Sequence, residues 1–273
     1  MKRIILPLLA LSVVCCTPQR QETQHITVTT NDTVGRKMMI VPMGNNEGTV
    51  EMTIENGVYS ASIATSETGF YNLVSVNGQS QSIIPHYIPV TKSKSASHLT
   101  FGERSMLELE GSRDNRALAA YTQAYADYSR ALWSLPKGDT DNAHAILESF
   151  IVKADSIIDE YRCTQPVEEY LKIWAYINAY DSYGSLPRII GMKADEIPYT
   201  RTELLPQPHT VLDSPIAALF SNVPNIVYSA LPNRNNLDSA LIYVEQHYTD
   251  SILRKKVNDH IAARYVSRYN YNE

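Results

Sequence analysis

The sequence contains little cysteine: of its 273 residues only Cys15, Cys16 and Cys163 are cysteines. They form no C-x-x-C pair, so the chain lacks the motif that carries out dithiol exchange. It also lacks a G-x-S-x-G elbow, a glycine-rich phosphate loop and an H-E-x-x-H metal motif. We therefore predict no catalytic residue and no cofactor, and an enzyme with an unrecognised site is the remaining alternative.

The sequence has no basic excess, because 24 Lys and Arg face 29 Asp and Glu and give a net charge of -5. This balance argues against a nucleic-acid partner. The seven histidines are scattered, and none stands four residues from another or at ligand spacing from a cysteine. No metal site is therefore predicted from the sequence. The alternative is a site whose ligands are distant in sequence and come together only in the folded chain.

The chain also lacks a long apolar run. The run at 4–14, interrupted by Pro7 and Ser12, follows the positive pair Lys2 and Arg3. It is much shorter than the roughly 20 residues that a membrane-spanning helix needs. A charged start followed by a short apolar run is typical of a secretory signal.

The segment "LSVVCCTPQR" ends this signal and resembles the signal peptide of bacterial lipoproteins, in which a cysteine becomes the lipid-bearing first residue. Cys16 is the predicted lipidation site, because Cys15 and Val13 supply the small and aliphatic residues before it. Cys15 is the alternative, with Val14 and Ser12 as a poorer match. A plain secretory signal, with a disulfide or free thiols at the new N-terminus, is the competing interpretation. Lipidation implies a membrane contact through the N-terminal lipid.

Four segments follow from this interpretation: a signal peptide at 1–16, a polar tether at 17–23, a β-rich domain at 24–107 and a helical domain at 108–273. In the β-rich domain apolar residues alternate, and the pairs Asn56-Gly57 and Asn77-Gly78 predict two tight hairpins. We expect six or seven antiparallel strands in a β-sandwich or open barrel. The fold class is therefore α+β.

After Gly111 the hydrophobic period changes to that of a helix. Tyr121, Tyr125 and Tyr128 fall on one helical face, where they either stack on a ligand or form core. Helix signals further along the chain predict five or six helices in total. Ser112 and Asp114 offer starts for the first helix, and later helices are predicted to start at Asp139 and Pro215.

Between those two starts, Pro166 and Gly184 mark the first turn and the end of one predicted helix. A proline-rich connection is expected at about 185–215. The acidic pair Glu168 and Glu169 in the first turn of this helix suits the macrodipole, with acid–base chemistry as the alternative role. Cys163 just before it is either an inert buried thiol or a reactive one.

Several patterns together resemble a known family. They are the hairpin Asn-Gly-x-Tyr at 56–59, the strand Gly-Phe-Tyr at 69–71, the joint Gly-Ser-x-x-Asn at 111–115 and the order of the helices. With the lipoprotein signal before them, they resemble the N-terminal accessory region of the thioredoxin-like thiol:disulfide interchange lipoproteins of Bacteroidota.

In that family a thioredoxin fold with a C-x-x-C pair follows these regions, and no such pair occurs here, so no redox residue can be assigned. The chain is either truncated before a redox domain or a standalone relative. The resemblance implies a non-catalytic accessory role in positioning, self-association or recognition of a protein client. The alternative is a standalone lipoprotein that binds a peptide, glycan or small ligand. In Bacteroidota lipoproteins, an acidic run after the lipidated cysteine indicates export to the cell surface. No such run follows Cys16, so the resemblance implies that the anchored protein faces the periplasm.

Overall fold

The computed structural model describes residues 23–44, 48–102 and 107–269. The predicted signal peptide, almost all of the tether and both candidate lipidation sites, Cys15 and Cys16, lie outside these residues. Within them the chain is α+β, as predicted, with nine strands followed by eight α-helices. The strands are β1 (Thr23–Thr30), β2 (Arg36–Pro42), β3 (Val50–Glu51), β4 (Thr53–Glu55), β5 (Val58–Ala64), β6 (Phe70–Asn77), β7 (Ser80–Tyr87), β8 (Lys94–Phe101) and β9 (Leu107–Glu110).

The strands form two open sheets, one in the order β4-β5-β1-β8-β9 and one in the order β3-β2-β6-β7. The prediction of six or seven strands, all antiparallel, is wrong on both points. β1 lies between β5 and β8 and runs parallel to β8. Hairpin signals reveal only pairing between neighbours in sequence, so this pairing across about 70 residues left no local pattern.

The predicted strand that precedes the first hairpin is divided between the two sheets. β3 pairs with β2 and β4 pairs with β5, and the buried Met52 lies between them. The Met52 N–H donates to the Met38 carbonyl at 2.8 Å. After β4 the chain turns at Asn56 and Gly57, with φ of 50° and 78°. Two consecutive positive φ angles are what a type I′ hairpin requires, which confirms the predicted turn.

The second predicted hairpin is present but shifted by one residue. Asn77 still pairs with Ser80 in the ladder, so the two loop residues are Gly78 and Gln79. Gly78 has a φ of 60°. A glycine with positive φ at the first loop position suits a type II′ turn.

Inward side chains of both sheets pack into one core. Ile26 and Val28 of β1 and Met38 and Ile40 of β2 are all fully buried in it. Alternate residues of a strand point to opposite faces, so the period of two in the sequence selects these residues.

The helices form a second, larger core. They are α1 (Arg113–Trp133), α2 (Thr140–Tyr161), α3 (Gln165–Ile189), α4 (Arg201–Leu204), α5 (Pro208–Leu212), α6 (Val223–Ala230), α7 (Leu237–His247) and α8 (Ser251–Tyr269). Caps fix several starts as predicted: the Ser112 hydroxyl accepts from the Asn115 N–H at 3.2 Å. The Asp139 carboxylate accepts from the Asn142 N–H at 3.3 Å.

The region from Gly184 to Pro215 departs from the prediction. α3 does not end at Gly184 but continues through Pro187 to Ile189, because Leu186 and Ile190 are fully buried and their packing outweighs the helix breakers. A glycine also suits this position, since a Cβ there would lie 3.3 Å from Arg201 Nη2.

The remaining differences also concern this connection. It contains the short helices α4 and α5, which raise the helix count of the described residues above the predicted five or six. The helix expected from Pro215 is a single 3₁₀ turn at Ala217–Leu219, and α6 begins at Val223. Helices this short have too few residues to show a periodic pattern.

Candidate binding groove

The tyrosine stripe of α1 lies in an aromatic cluster between α1, α2 and α3. Tyr121 and Tyr128 are buried and Tyr125 is partly buried. The Tyr128 ring stacks on Phe150 with centroids 4.0 Å apart, and the Tyr121 centroid lies 4.6 Å from that of Trp174. The Tyr125 centroid lies 6.0 Å from that of Phe150, so protein side chains lie against all three tyrosine rings and join the helices.

Cys163 lies in the short link between α2 and α3, after the left-handed Arg162 that ends α2. Burial, with a smaller contribution from the nearby Asp114 carboxylate, raises the pKa of its thiol to about 11. A thiol with such a pKa holds little thiolate near neutral pH and is a weak nucleophile.

Folding brings together two histidines that are far apart in sequence. The rings of His209 and His247 have centroids 5.0 Å apart, and Tyr243 stacks on His247 at 3.9 Å. Across residues 23–44, 48–102 and 107–269, no three His, Cys, Asp or Glu side chains are grouped so that they could hold a metal ion.

A groove of about 650 Å³ opens on the helical half between α2, α3 and the segment around α4 and α5. Its apolar lining comes from Ile151, Ala154, Ile173, Ala175, Leu204, Leu205, Pro206 and Val211. Its polar lining comes from Asp155, Gln165, Glu168, Glu169, Lys172, Tyr176 and Thr210. We call these residues together the binding groove. Its volume is in the range of sites that hold small ligands or a few side chains.

Two of the walls follow from helical spacing. Ile151, Ala154 and Asp155 are three and four residues apart, so they share one face of α2. On α3, Glu169 and Ile173 are likewise four residues apart.

The third wall comes from the short helices α4 and α5 and the link between them, and single hydrogen bonds hold this segment to α3. The Tyr176 hydroxyl donates to the Pro206 carbonyl at 3.0 Å. The Ser214 hydroxyl donates to the Glu169 carboxylate. These two bonds from α3 fix the segment that closes the groove.

Acidic groups dominate the charge of the groove, with three carboxylates and one ammonium. Lys172 Nζ lies 2.6 Å from the Glu168 carboxylate, and this hydrogen bond raises the pKa of Lys172. Glu169 accepts from Ser214. Asp155 is exposed and makes no hydrogen bond or ion pair with the part of the chain that the structure describes. An apolar floor with an acidic rim suits a ligand that carries both aliphatic and cationic groups.

Sequence reasoning singled out Glu168 and Glu169 as residues of a helix start, with acid–base chemistry as the alternative, and not as part of a groove. The groove was missed because its walls come from three segments that meet only after folding. The pair Glu168 and Lys172, four residues apart on a helix, was the one local signal of its polar rim.

None of the described helices is both long and apolar enough to cross a membrane. Comparison of the chain with known proteins found no matching family model and no matching curated protein.

Proposed function

We propose that this protein is a lipid-anchored, non-catalytic component of the cell envelope that recognises a client polypeptide through the binding groove. In this proposal it acts as the accessory region of a thioredoxin-like thiol:disulfide interchange protein, and the redox pair is not among the 273 residues of this sequence. The observation that carries the proposal is the groove itself, an apolar floor under an acidic rim.

The β-rich half is proposed to be a β-sandwich that holds the helical half away from the lipid. A sandwich is supported over an open barrel because inward residues of both sheets fill one core. The two halves are firmly joined: Phe70 of β6 stacks on Tyr170 of α3 with ring centroids 4.6 Å apart. A rigid joint suits an accessory region that positions a client.

The groove is tested with a fluorescein-labelled peptide that alternates leucine and lysine, and with a matched peptide that carries glutamate in place of lysine. We expect fluorescence anisotropy to show saturable binding of the lysine peptide only. Asp155→Lys reverses an exposed rim charge and is expected to weaken binding about tenfold. Glu160→Lys is the control, because Glu160 is exposed on the same helix but does not line the groove. Equal binding of both peptides, or no effect of Asp155→Lys, would contradict the proposal.

The anchor is tested by membrane fractionation of cells that produce the full chain. Cys16→Ala is expected to release the protein from the membrane fraction, whereas Cys15→Ala is expected to leave it there. Release by Cys15→Ala alone would move the lipidation site to Cys15.

The absence of catalysis is tested in an insulin-reduction assay with the purified chain. We expect no disulfide reductase activity, because Cys163 is the single cysteine of the described residues and its thiol has a raised pKa. Activity that Cys163→Ser abolishes would overturn this part of the proposal.

A standalone binding lipoprotein is the second candidate function. It is favoured by a separate cavity between the β-rich and helical halves. In that case a small ligand, and not a client polypeptide, would be the natural occupant.

A further inference from the structure

A cleft of about 670 Å³ lies where the two halves of the protein meet. One side is formed by Pro42, Met43, Gly44 and Gly48 at and after the end of β2 and by the loop between β5 and β6. The other side is formed by the 3₁₀ turn Ala217–Leu219 and the start of α8. The lining residues are Pro42, Met43, Gly44, Gly48, Ala64, Thr65, Ser66, Glu67, Thr68, Pro215, Ala218, Leu219, Ile252 and Lys256. We call this site the interdomain cleft; it shares no residue with the binding groove.

The cleft holds two opposite charges that do not meet. Glu67 and Lys256 both line it, yet they form no ion pair within 4.0 Å. The Lys256 ammonium donates one hydrogen bond, to the Ala218 carbonyl at 2.7 Å, and contacts no carboxylate among the described residues. Glu67 is exposed and likewise has no partner there. An ammonium and a carboxylate are thus left to face one cavity.

The neighbouring side chains leave Lys256 available. The adjacent Lys255 is paired with Asp259 at 2.7 Å, so that carboxylate is already occupied. Lys256 also borders a second cavity of about 400 Å³, lined in part by Asp259 and His260. Lys256 is the only Lys or Arg among the lining residues of either cavity.

The rest of the lining is largely apolar with a few hydroxyls. Leu219 and Ile252 supply aliphatic surface, and Ile252 is 52% exposed. The hydroxyls of Ser66 and Thr68 lie 3.2 Å apart and offer further hydrogen-bonding groups. The close packing of Gly44 on Leu219 joins the two sides, since a Cβ at Gly44 would lie 2.9 Å from Leu219 Cδ2.

We infer that the interdomain cleft binds a short apolar peptide with both termini free, such as a dipeptide. Lys256 holds the terminal carboxylate, Glu67 holds the terminal ammonium, and Leu219 and Ile252 contact the aliphatic side chains. A zwitterion matches two separated opposite charges, whereas a simple acid or amine would leave one of them without a partner. A cavity of this size also exceeds what one amino acid would fill.

The inference is tested by isothermal titration calorimetry with leucyl-leucine and two modified forms. N-acetyl-leucyl-leucine lacks the ammonium, and leucyl-leucinamide lacks the carboxylate. We expect saturable binding of leucyl-leucine, with each modification weakening it about tenfold or more. No saturable binding of leucyl-leucine to the wild-type protein would overturn the inference.

Charge-deleting variants then assign each terminus. Glu67→Gln is expected to weaken the binding of leucyl-leucine but not that of N-acetyl-leucyl-leucine, which lacks the ammonium. Lys256→Gln is expected to weaken the binding of leucyl-leucine but not that of leucyl-leucinamide, which lacks the carboxylate. Lys153→Gln is the control for Lys256→Gln, because Lys153 is exposed and lines neither cavity, and it should bind leucyl-leucine as the wild type does. If either variant weakens all three ligands equally, the assigned pairing is wrong.

A second variant tests the same site without removing the Lys256 ammonium. Ile252→Glu replaces an aliphatic lining residue with a carboxylate and is expected to weaken the binding of leucyl-leucine about tenfold or more. Ile242→Glu is its control, since Ile242 is 55% exposed and outside the lining. Unfolding in urea should have the same midpoint in both variants. Unchanged binding by folded Ile252→Glu would contradict the inference.

Discussion

The side-chain oxygen of Asn115 accepts a hydrogen bond from the Tyr87 N–H at 2.6 Å and so joins α1 to the end of β7. Asn115 is 1% exposed, and its own N–H is bound by the Ser112 hydroxyl. The Gly-Ser-x-x-Asn joint therefore caps a helix and fastens the helix to the β-rich half with the same few residues. This contact gives a structural reason for the Gly-Ser-x-x-Asn pattern at 111–115, which is one of the patterns that carried the family resemblance.

Asn115→Ala is expected to lower the free energy of unfolding by about 1–3 kcal/mol, because it leaves the buried Tyr87 N–H without its acceptor. Urea denaturation followed by circular dichroism measures the change. Asn233→Ala is the control, since Asn233 is exposed and its side chain makes no hydrogen bond with the described residues. Equal stability of the two variants would show that the Asn115 contact contributes nothing.

His86 makes stability depend on pH. It is fully buried, and burial lowers its pKa to about 4 from an ordinary value of 6.5. Its Nε2 lies 3.3 Å from the Asn115 amide nitrogen. A proton on Nε2 would therefore place two hydrogen-bond donors, Nε2–H and the Asn115 amide, face to face without an acceptor between them. Between those pKa values the unfolded chain binds the extra proton and the folded chain does not. The stabilisation that depends on a neutral His86 is therefore fully present above about pH 6.5 and is lost as the pH is lowered towards 4.

The expected loss from this histidine is about 3 kcal/mol across that range. Urea denaturation at a series of pH values measures it. In His86→Gln the part of the pH dependence between pH 6.5 and 4 should be smaller than in the wild type. An identical slope in the variant would show that other groups are responsible.

The tyrosine stripe is tested at Tyr128, which is 6% exposed and stacked on Phe150. Tyr128→Ala is expected to cost about 3–5 kcal/mol of stability, because it removes a buried ring. Tyr128→Phe keeps the ring and should cost less than about 1 kcal/mol. Trp133→Ala is the control on the same helix, since Trp133 is 53% exposed. A ligand-stacking role would instead predict that Tyr128→Ala is well tolerated.

Cys163 is expected to react slowly with iodoacetamide at pH 8. A pKa raised to about 11 from 9.0 leaves about a hundredfold less thiolate than in the unfolded chain. The rate is followed by mass spectrometry in a Cys15→Ser, Cys16→Ser background, with the same protein in urea as reference. Similar rates with and without urea would mean that Cys163 is an accessible, activated thiol.

The sequence by itself determined the features that depend on neighbouring residues. The period of two and then of 3.6 predicted strands followed by helices. Local chemistry predicted the turn at Asn56-Gly57 and the starts of α1 and α2 at Ser112 and Asp139. These are interactions within a few residues, so their patterns can be read directly along the chain.

Only the tertiary structure decided which distant segments meet. It placed β1 parallel to β8, carried α3 past Gly184 and Pro187, and brought α2, α3 and the segment at 204–211 around the binding groove. It also set Glu67 and Lys256 on one cleft from opposite halves of the chain. Such contacts depend on packing and burial summed over the whole fold, which outweigh local propensity and leave no periodic signal in the sequence.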